Sequence, residues 1–300
     1  MILKQDQIIK NITSKLNNGQ GQDHFSPSQI ISKPFAWWVI KYFVSSQEDR
    51  RQSPANYKMK CGSLVGNVSQ KLIAKYIFKG AEREEIKDRT YNKIFDHELN
   101  LIKKENYRNE KDQQSFELML DYSHHIITQT LKCIKELFGK DAIQCERHVF
   151  DQPKDLMLPI VGRIDWESNN LIAEQKSKPP YFRSIKSGLK GYTQKLPEEL
   201  SLDHLVQLSF YWYCTKKKPV LFYVNDEDYK IFDGFEEEEL EDLYETNLVR
   251  RAKTIQKLLE VSDADPVVMA ELVEPPDLNH YLYDDLTDYQ REQIYKLWRI

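Results

Sequence analysis

The chain has 300 residues, 40% of them hydrophobic and 30% charged, with a formal net charge of −4 and a mean hydropathy of −0.65. That is enough chain to bury a substantial core, as one large domain or two small ones, under a polar surface. It excludes a helical membrane protein, because no apolar run approaches the roughly 20 residues that a span needs, and Met1-Ile-Leu-Lys-Gln-Asp-Gln7 lacks the basic-then-apolar pattern of a secretory signal.

In chain order, residues 1–25 read as a flexible polar segment around Asn17-Asn-Gly-Gln-Gly-Gln-Asp23. Ser26-Pro27-Ser28 opens a helix, with either serine able to cap it and Pro27 suited to the first turn. Ile30, Ile31, Phe35, Trp38, Val39, Tyr42 and Phe43 give it a wide apolar face, and Pro34 predicts a kink or an early break. Residues 50–60 read as a loop, and Gly62 to Val65 opens a helix to about Phe78 on Leu64, Val65, Val68, Leu72 and Ile73. Residues 82–106 and 112–138 are expected to be helical, the second on Phe116, Met119, Ile126, Ile127, Leu131 and Ile134, with Gly139 as its stop. His124 and His125 are adjacent on that helix and point apart, so they do not read as a shared metal site.

The periodicity then changes. Ala142–Phe150 reads as a strand with Glu146 in its middle, 155–165 as a second strand and Leu171–Ser177 as a third. Residues 178–197 read as a long loop broken by Pro179-Pro180, Gly188, Gly191 and Pro197. Leu200–Cys214 is expected to be a helix, Pro219–Val224 and Tyr229–Phe232 strands, Glu236–Val261 a long helix, and Leu286–Arg299 a last helix beyond the Pro275-Pro276 break. This order predicts an α/β fold: a small mixed sheet flanked by helices, with helical N- and C-terminal additions and the 200–214 helix as the crossover between the third and fourth strands.

The most informative stretch is Pro159 to Lys178. Two apolar runs, Ile160–Ile164 and Leu171–Ala173, flank a Ser168-Asn169-Asn170 turn and read as a hairpin. The first strand delivers Asp165; the second delivers Glu174 and Lys176 on one face, with Gln175 turned away. Two carboxylates and an ammonium on one patch outline a divalent-metal site for phosphodiester chemistry, although a surface hairpin ending in these residues is common and carries little specificity alone. His204, Gln207 and Tyr211 form a polar stripe on the next helix. Charge is uneven: residues 176–195 hold Lys176, Lys178, Arg183, Lys186, Lys190 and Lys195 with no Asp or Glu, whereas 226–245 is strongly acidic. Tyr181, Phe182 and Tyr192 interleave the basic stretch, as a phosphate-contacting and base-stacking element or as core packing.

Gly162-Arg163-Ile164-Asp165, Glu174-Gln175-Lys176-Ser177 and Gln207-Leu208-Ser209-Phe210-Tyr211, in this order, resemble the PD-(D/E)XK nuclease superfamily in its RecB-like, phage-exonuclease branch. Ser26-Pro27-Ser28-Gln29-Ile30 resembles the opening motif of that branch, and Glu146 sits where its members often carry a Glu. The resemblance spans residues 25–260. It implies a restriction-endonuclease-like domain over 26–261, with a helical part at 26–140 and a catalytic sheet at 141–235, followed by a C-terminal extension over 262–300. It implies that Asp165, Glu174 and the backbone carbonyl of Gln175 bind magnesium or manganese. Lys176 would serve the attacking water and the phosphate, and Gln207 would face the ligands or the phosphate. Glu146, Tyr211, His204 and Lys178 are further candidates. The implied activity is hydrolysis of DNA in recombination, repair or replication, by an exonuclease in the cytoplasm of a bacterial or phage-infected cell. DNA is the expected partner, together with a recombination or single-strand-binding protein and without a membrane; an oligomer is left open.

Two features depart from the branch. Its first core helix often carries Gly-x-x-x-His and then an acid; here Gly66 follows Gly62 at the histidine position, and Ser69 and Gln70 stand where the acid is expected. Some members bind an iron–sulfur cluster, which is not expected here because Cys61, Cys133, Cys145 and Cys214 are far apart; their scatter also suits a reducing compartment. The alternatives are a site-specific endonuclease on the same fold and a degenerate protein that binds nucleic acid without cutting it.

Overall fold

The computed structural model describes residues 24–31, 33–45, 55–76, 88–186, 188–284 and 286–300. The expected flexible stretch up to residue 23, the helix end at Phe78 and residues 82–87 lie outside the described residues. In chain order the structure has α1 (Pro27–Ile30), α2 (Phe35–Val39) running into a π-helical turn at Ile40–Val44, α3 (Tyr57–Tyr76), α4 (Asp88–Ile102) and α5 (Glu110–Phe138). Then come β1 (Gln144–Asp151), β2 (Ile160–Glu167), β3 (Leu171–Ser177), β4 (Tyr181–Ile185), β5 (Gly188–Tyr192), α6 (Leu202–Thr215), β6 (Lys218–Val224) and β7 (Tyr229–Phe232). The chain closes with α7 (Glu237–Asp242), a π-helical stretch at Leu243–Val249, α8 (Arg250–Val261), α9 (Pro266–Leu272) and α10 (Asp288–Trp298).

The fold is mixed α/β. One sheet has the order β1-β2-β3-β6-β7, and β4 and β5 form a separate two-stranded sheet. β3 pairs antiparallel with β2 and parallel with β6, and a parallel neighbour demands a crossover, which α6 provides. The chain divides into two compact units, Pro54–His148 with Arg163–Phe235, and Met1–Ser53 with Val149–Gly162 and Glu236–Ile300.

In the unit holding residues 54–148 and 163–235, period-two alternation sorts the sheet's side chains. Trp166, Ala173, Val220, Phe222 and Val224 join Leu64, Val68 and Leu72 of α3 and Met119, Ile126 and Ile134 of α5 in one core. Leu221 and Tyr223 turn the other way and pack with Leu208 of α6. Each fully buried Val, Leu, Ile, Phe or Met side chain among these contributes about 1.5–3 kcal/mol. α5 starts where Asn109 Oδ1 accepts the Asp112 N–H at 2.9 Å, and it ends at Gly139, whose φ of +56° suits a residue without Cβ.

Several boundaries correct the sequence reading. α3 begins at Tyr57 inside the expected loop, because Asn56 Oδ1 accepts the Met59 N–H at 2.9 Å and starts the helix a turn before Gly62. α4 stops at Ile102, and of the expected helical residues 103–106 the first two form a turn. The second strand starts at Ile160, not Asp155, since residues 153–156 close a turn with the Leu156 N–H on the Pro153 carbonyl at 2.9 Å. The loop expected over 178–197 contains the β4–β5 hairpin.

In the other unit, Phe25 is bound rather than flexible. Its N–H donates to the Pro159 carbonyl and its carbonyl accepts the Val161 N–H, both at 2.8 Å, and its side chain is buried. Pro34 breaks the first helix, as expected, with α1 before it and α2 after it. Arg251 donates to the Lys33 carbonyl and lies 4.7 Å from the Phe35 ring centroid. Gln290 Nε2 donates to Ser45 Oγ at 2.9 Å. The long helix expected from Glu236 is interrupted by its π-helical stretch. α9 was not expected; Pro266 opens it, and Asp265 caps it by accepting the Val267 N–H at 2.8 Å. Among the described residues no helix is long and apolar enough to cross a membrane.

Candidate active site

The face-sorting of β3 that buries Ala173 beneath α3 and α5 sends Glu174 and Lys176 to the opposite side, toward α6. Lys176 Nζ donates to Glu174 Oε1 at 2.7 Å and to Gln207 Oε1 at 2.9 Å. Gln207 Nε2 in turn donates to Tyr211 Oη at 2.8 Å. One turn of helix separates Gln207 from Tyr211, so α6 sets that contact. On β2, Trp166 pairs with Ala173, which turns Asp165 to the Glu174 side; Asp165 Oδ2 accepts the Gln175 N–H at 2.9 Å. Glu174 is 4% exposed, and among the described residues its buried Oε2 has no hydrogen-bond partner.

The charges act on one another. Burial, then the neighbouring Glu174 charge, raise the Asp165 carboxyl well above the usual carboxylate range, against the opposing pull of Lys176 and the Gln175 N–H. Burial pulls Lys176 down, but Glu174 and Asp165 outweigh it, and the ammonium is held above its ordinary value. His204 is lowered to about 4 by burial and by the Lys176 and Lys178 charges; its Nδ1 and the Tyr223 hydroxyl share a hydrogen bond of 2.7 Å. The Tyr211 phenol is raised well above its ordinary value by burial and by Glu174, so it stays protonated.

These groups border a polar cleft of about 440 Å³. Its lining includes Asp165 and Arg163 from β2, Glu174 to Ser177 from β3, Lys178, His204, Glu146, and Gly62, Ser63, Gly66, Asn67 and Gln70 from α3. Glu146 is held on both oxygens, by Arg163 Nε at 2.5 Å and by Gln70 Nε2 at 2.7 Å. Its φ of +59° is left-handed, a conformation that costs about 1–2 kcal/mol in a residue with a Cβ. Such strain persists where the surroundings over-determine it, and it concentrates at functional sites.

The structure therefore brings together Asp165, Glu174, Gln175 and Lys176, with Lys178, His204 and Glu146 on the same cleft. Gln207 stands behind Lys176. Tyr211 is 3% exposed and orients the Gln207 amide instead of facing the cleft. Gln175 also sends its side chain away, to Thr130 Oγ1 at 3.2 Å. The sequence reading assigned no site role to Arg163, Ser63 or Asn67 and treated Gln70 only as a replacement for an expected acid. The signal for the α3 residues was a polar stripe at Ser63, Asn67 and Gln70, spaced i, i+4 and i+7. Asn67 Nδ2 donates to Glu98 Oε2 at 3.1 Å, which fixes its amide at the cleft edge.

Among the described residues no group of three or more His, Cys, Asp or Glu side chains is arranged to hold a metal ion. Asp165 and Glu174 nevertheless could hold a hard divalent cation that binds through one or two carboxylates and keeps its waters, as magnesium does. The unpartnered Glu174 Oε2 is the atom such an ion would satisfy. A closed zinc site, which takes four protein ligands, does not fit.

No protein-family model matches the chain. No curated protein matches it either. Among solved structures, the crystal structure of SSO0001 is similar over 83% of this chain and 87% of its own, at 12% identity and a TM-score of 0.30. A likeness at that score carries no argument about fold or activity.

Proposed function

We propose that the chain is a magnesium- or manganese-dependent DNA nuclease of the PD-(D/E)XK type, acting as an exonuclease in recombination, repair or replication. One observation carries the reading: Asp165, Glu174 and Lys176 converge on a single polar cleft where a buried Glu174 oxygen has no partner. The order of elements also supports it, with three strands, a crossover helix and a parallel fourth strand beside β3, as a restriction-endonuclease-like core requires.

A bound magnesium would offset charge on the phosphoryl oxygen and lower the pKa of its water. Asp165 and Glu174 would hold it. Lys176, kept charged by both carboxylates and fixed by Gln207, is aimed to stabilise negative charge gathering on the phosphate. Tyr211 occupies the Gln207 amide nitrogen, which leaves the amide oxygen for Lys176. His204, neutral near pH 7, offers a polar edge without adding a second cation.

Linear DNA incubated with the purified protein and magnesium should be degraded. Lys176→Ala and Asp165→Ala should each slow cleavage by at least about 10²–10³-fold, with unchanged circular dichroism. Cleavage surviving both changes would put the chemistry elsewhere. A covalently closed plasmid should remain intact; nicking it would make the protein an endonuclease. Gln70, standing where the branch carries an acid, favours the second reading of a non-cleaving DNA binder, and normal DNA binding with no cleavage in either metal would select it.

A further inference from the structure

The β4–β5 hairpin begins three residues beyond Lys178 of the cleft, within about 10 Å of extended chain. Its register pairs Tyr181 with Tyr192, Phe182 with Gly191, and Arg183 with Lys190. Direct cross-strand partners share a face, and faces alternate along a strand. Phe182 and Gly191 therefore occupy one face, and the two tyrosines, Arg183 and Lys190 the other.

The Phe182 face is the anchor. The Phe182 ring meets the Tyr57 ring edge-on at 5.5 Å between centroids, and a Cβ at Gly191 would lie 2.8 Å from Tyr122 Oη. The opposite face is thereby turned outward. On it the Tyr181 and Tyr192 rings stack at 5.4 Å with 17° between their planes. Arg183 lies 5.0 Å from the Tyr181 centroid and Lys190 lies 5.4 Å from that of Tyr192. Like charges directly across a strand pair destabilise it, yet residues 176–197 contain no acid, and neither cation meets an acidic side chain among the described residues.

Paired cations beside paired rings match a polyanion that also presents aromatic faces. Single-stranded nucleic acid does so, whereas a duplex keeps its base faces inside the stack. We propose that the outward face of the β4–β5 hairpin grips a single strand, with bases on Tyr181 and Tyr192 and phosphates on Arg183 and Lys190, and feeds it toward the cleft. The identity of the polyanion rests on the nuclease reading of that cleft.

The test is fluorescence anisotropy of a labelled oligothymidylate with the full chain in EDTA, where metal-dependent hydrolysis cannot contribute. Tyr181→Ala with Tyr192→Ala should weaken binding by about tenfold or more with unchanged circular dichroism and urea midpoint, and the corresponding double Phe variant should bind as wild type, which shows that the rings and not the hydroxyls are read. Arg183→Gln with Lys190→Gln should reduce the slope of log affinity against log salt by about 1.4, at about 0.7 for each phosphate contact. The proposal is overturned if wild type does not bind the oligothymidylate. It is equally overturned if the Ala and Gln variants keep wild-type affinity and slope, or if they lose a duplex of equal length by the same factor. A protein that binds in EDTA through these residues but cleaves nothing in magnesium refutes the nuclease reading and leaves the grip; cleavage without hairpin dependence does the reverse.

Discussion

Glu174 has one oxygen on Lys176 and, among the described residues, no partner for the other, while the nearby Asp165 carboxylate repels it. One ammonium between two buried carboxylates leaves the patch under-neutralised, an arrangement that favours a cation and disfavours the empty fold. Asp165→Asn removes that repulsion while its amide oxygen can still accept the Gln175 N–H. The variant should be more stable than wild type in EDTA by about 0.5–2 kcal/mol in urea denaturation. Magnesium should raise the wild-type midpoint and leave that of the variant unmoved. A variant less stable than wild type in EDTA would refute this account. Asp165, Glu174 and Lys176 were legible in the sequence because two strands about a polar turn fix which faces they share. The partners of Glu146 were not, since Arg163 and Gln70 come from a strand and a helix that only tertiary packing brings together. Tyr211 read as a cleft residue because helical spacing puts it in line with Gln207, but spacing does not reveal which end of the stripe is buried.

Elements declared themselves to the extent that their signals were local. β3 runs from Leu171 to Ser177 as read, because a branched run follows an Asn turn. The β4–β5 hairpin was hidden: Pro179-Pro180 and two glycines look like loop punctuation. Its contacts, Tyr181 stacked on Tyr192 and Phe182 docked on Tyr57, are ones that no local pattern announces. The hairpin should therefore be sensitive where it docks. At Gly191 an added Cβ would sit 2.8 Å from Tyr122 Oη and 2.9 Å from Phe182 Cε1. Gly191→Ala should cost about 1–3 kcal/mol as an overpacked contact, read as a lower denaturant midpoint. Tyr122→Phe in the same chain should recover part of the loss by deleting the nearest atom; no recovery would mean that the hairpin is not seated on Tyr122.

Across the whole molecule, buried protonated groups bound the pH range of stability. Burial raises the thiols of Cys61 and Cys133 from 9.0, and it raises Cys145 to about 12 and the Tyr57 phenol from 10.0 to about 12. In the unfolded chain these groups release protons at their ordinary values while the native chain retains them. The stability these groups contribute is thus complete below pH 9.0 and declines as pH climbs toward about 12. On the acid side, unfolded His204 takes a proton near 6.5 and native His204 only near about 4, so stability falls between those values as pH drops. Urea midpoints measured against pH should show a plateau between these limbs, and a midpoint that holds steady above pH 9.0 would contradict the alkaline limb. A last consequence lies in β3, which is clasped by β2 on one edge and by β6 on the other. Slipping it by one residue would thrust Glu174 and Lys176 into the oily side and turn Ala173 toward the polar cleft. Loss of the proposed chemistry and loss of folding are therefore the same accident along this strand. New specificities should arise instead where register is not at stake, in the hairpin and along the cleft-facing stripe of α3.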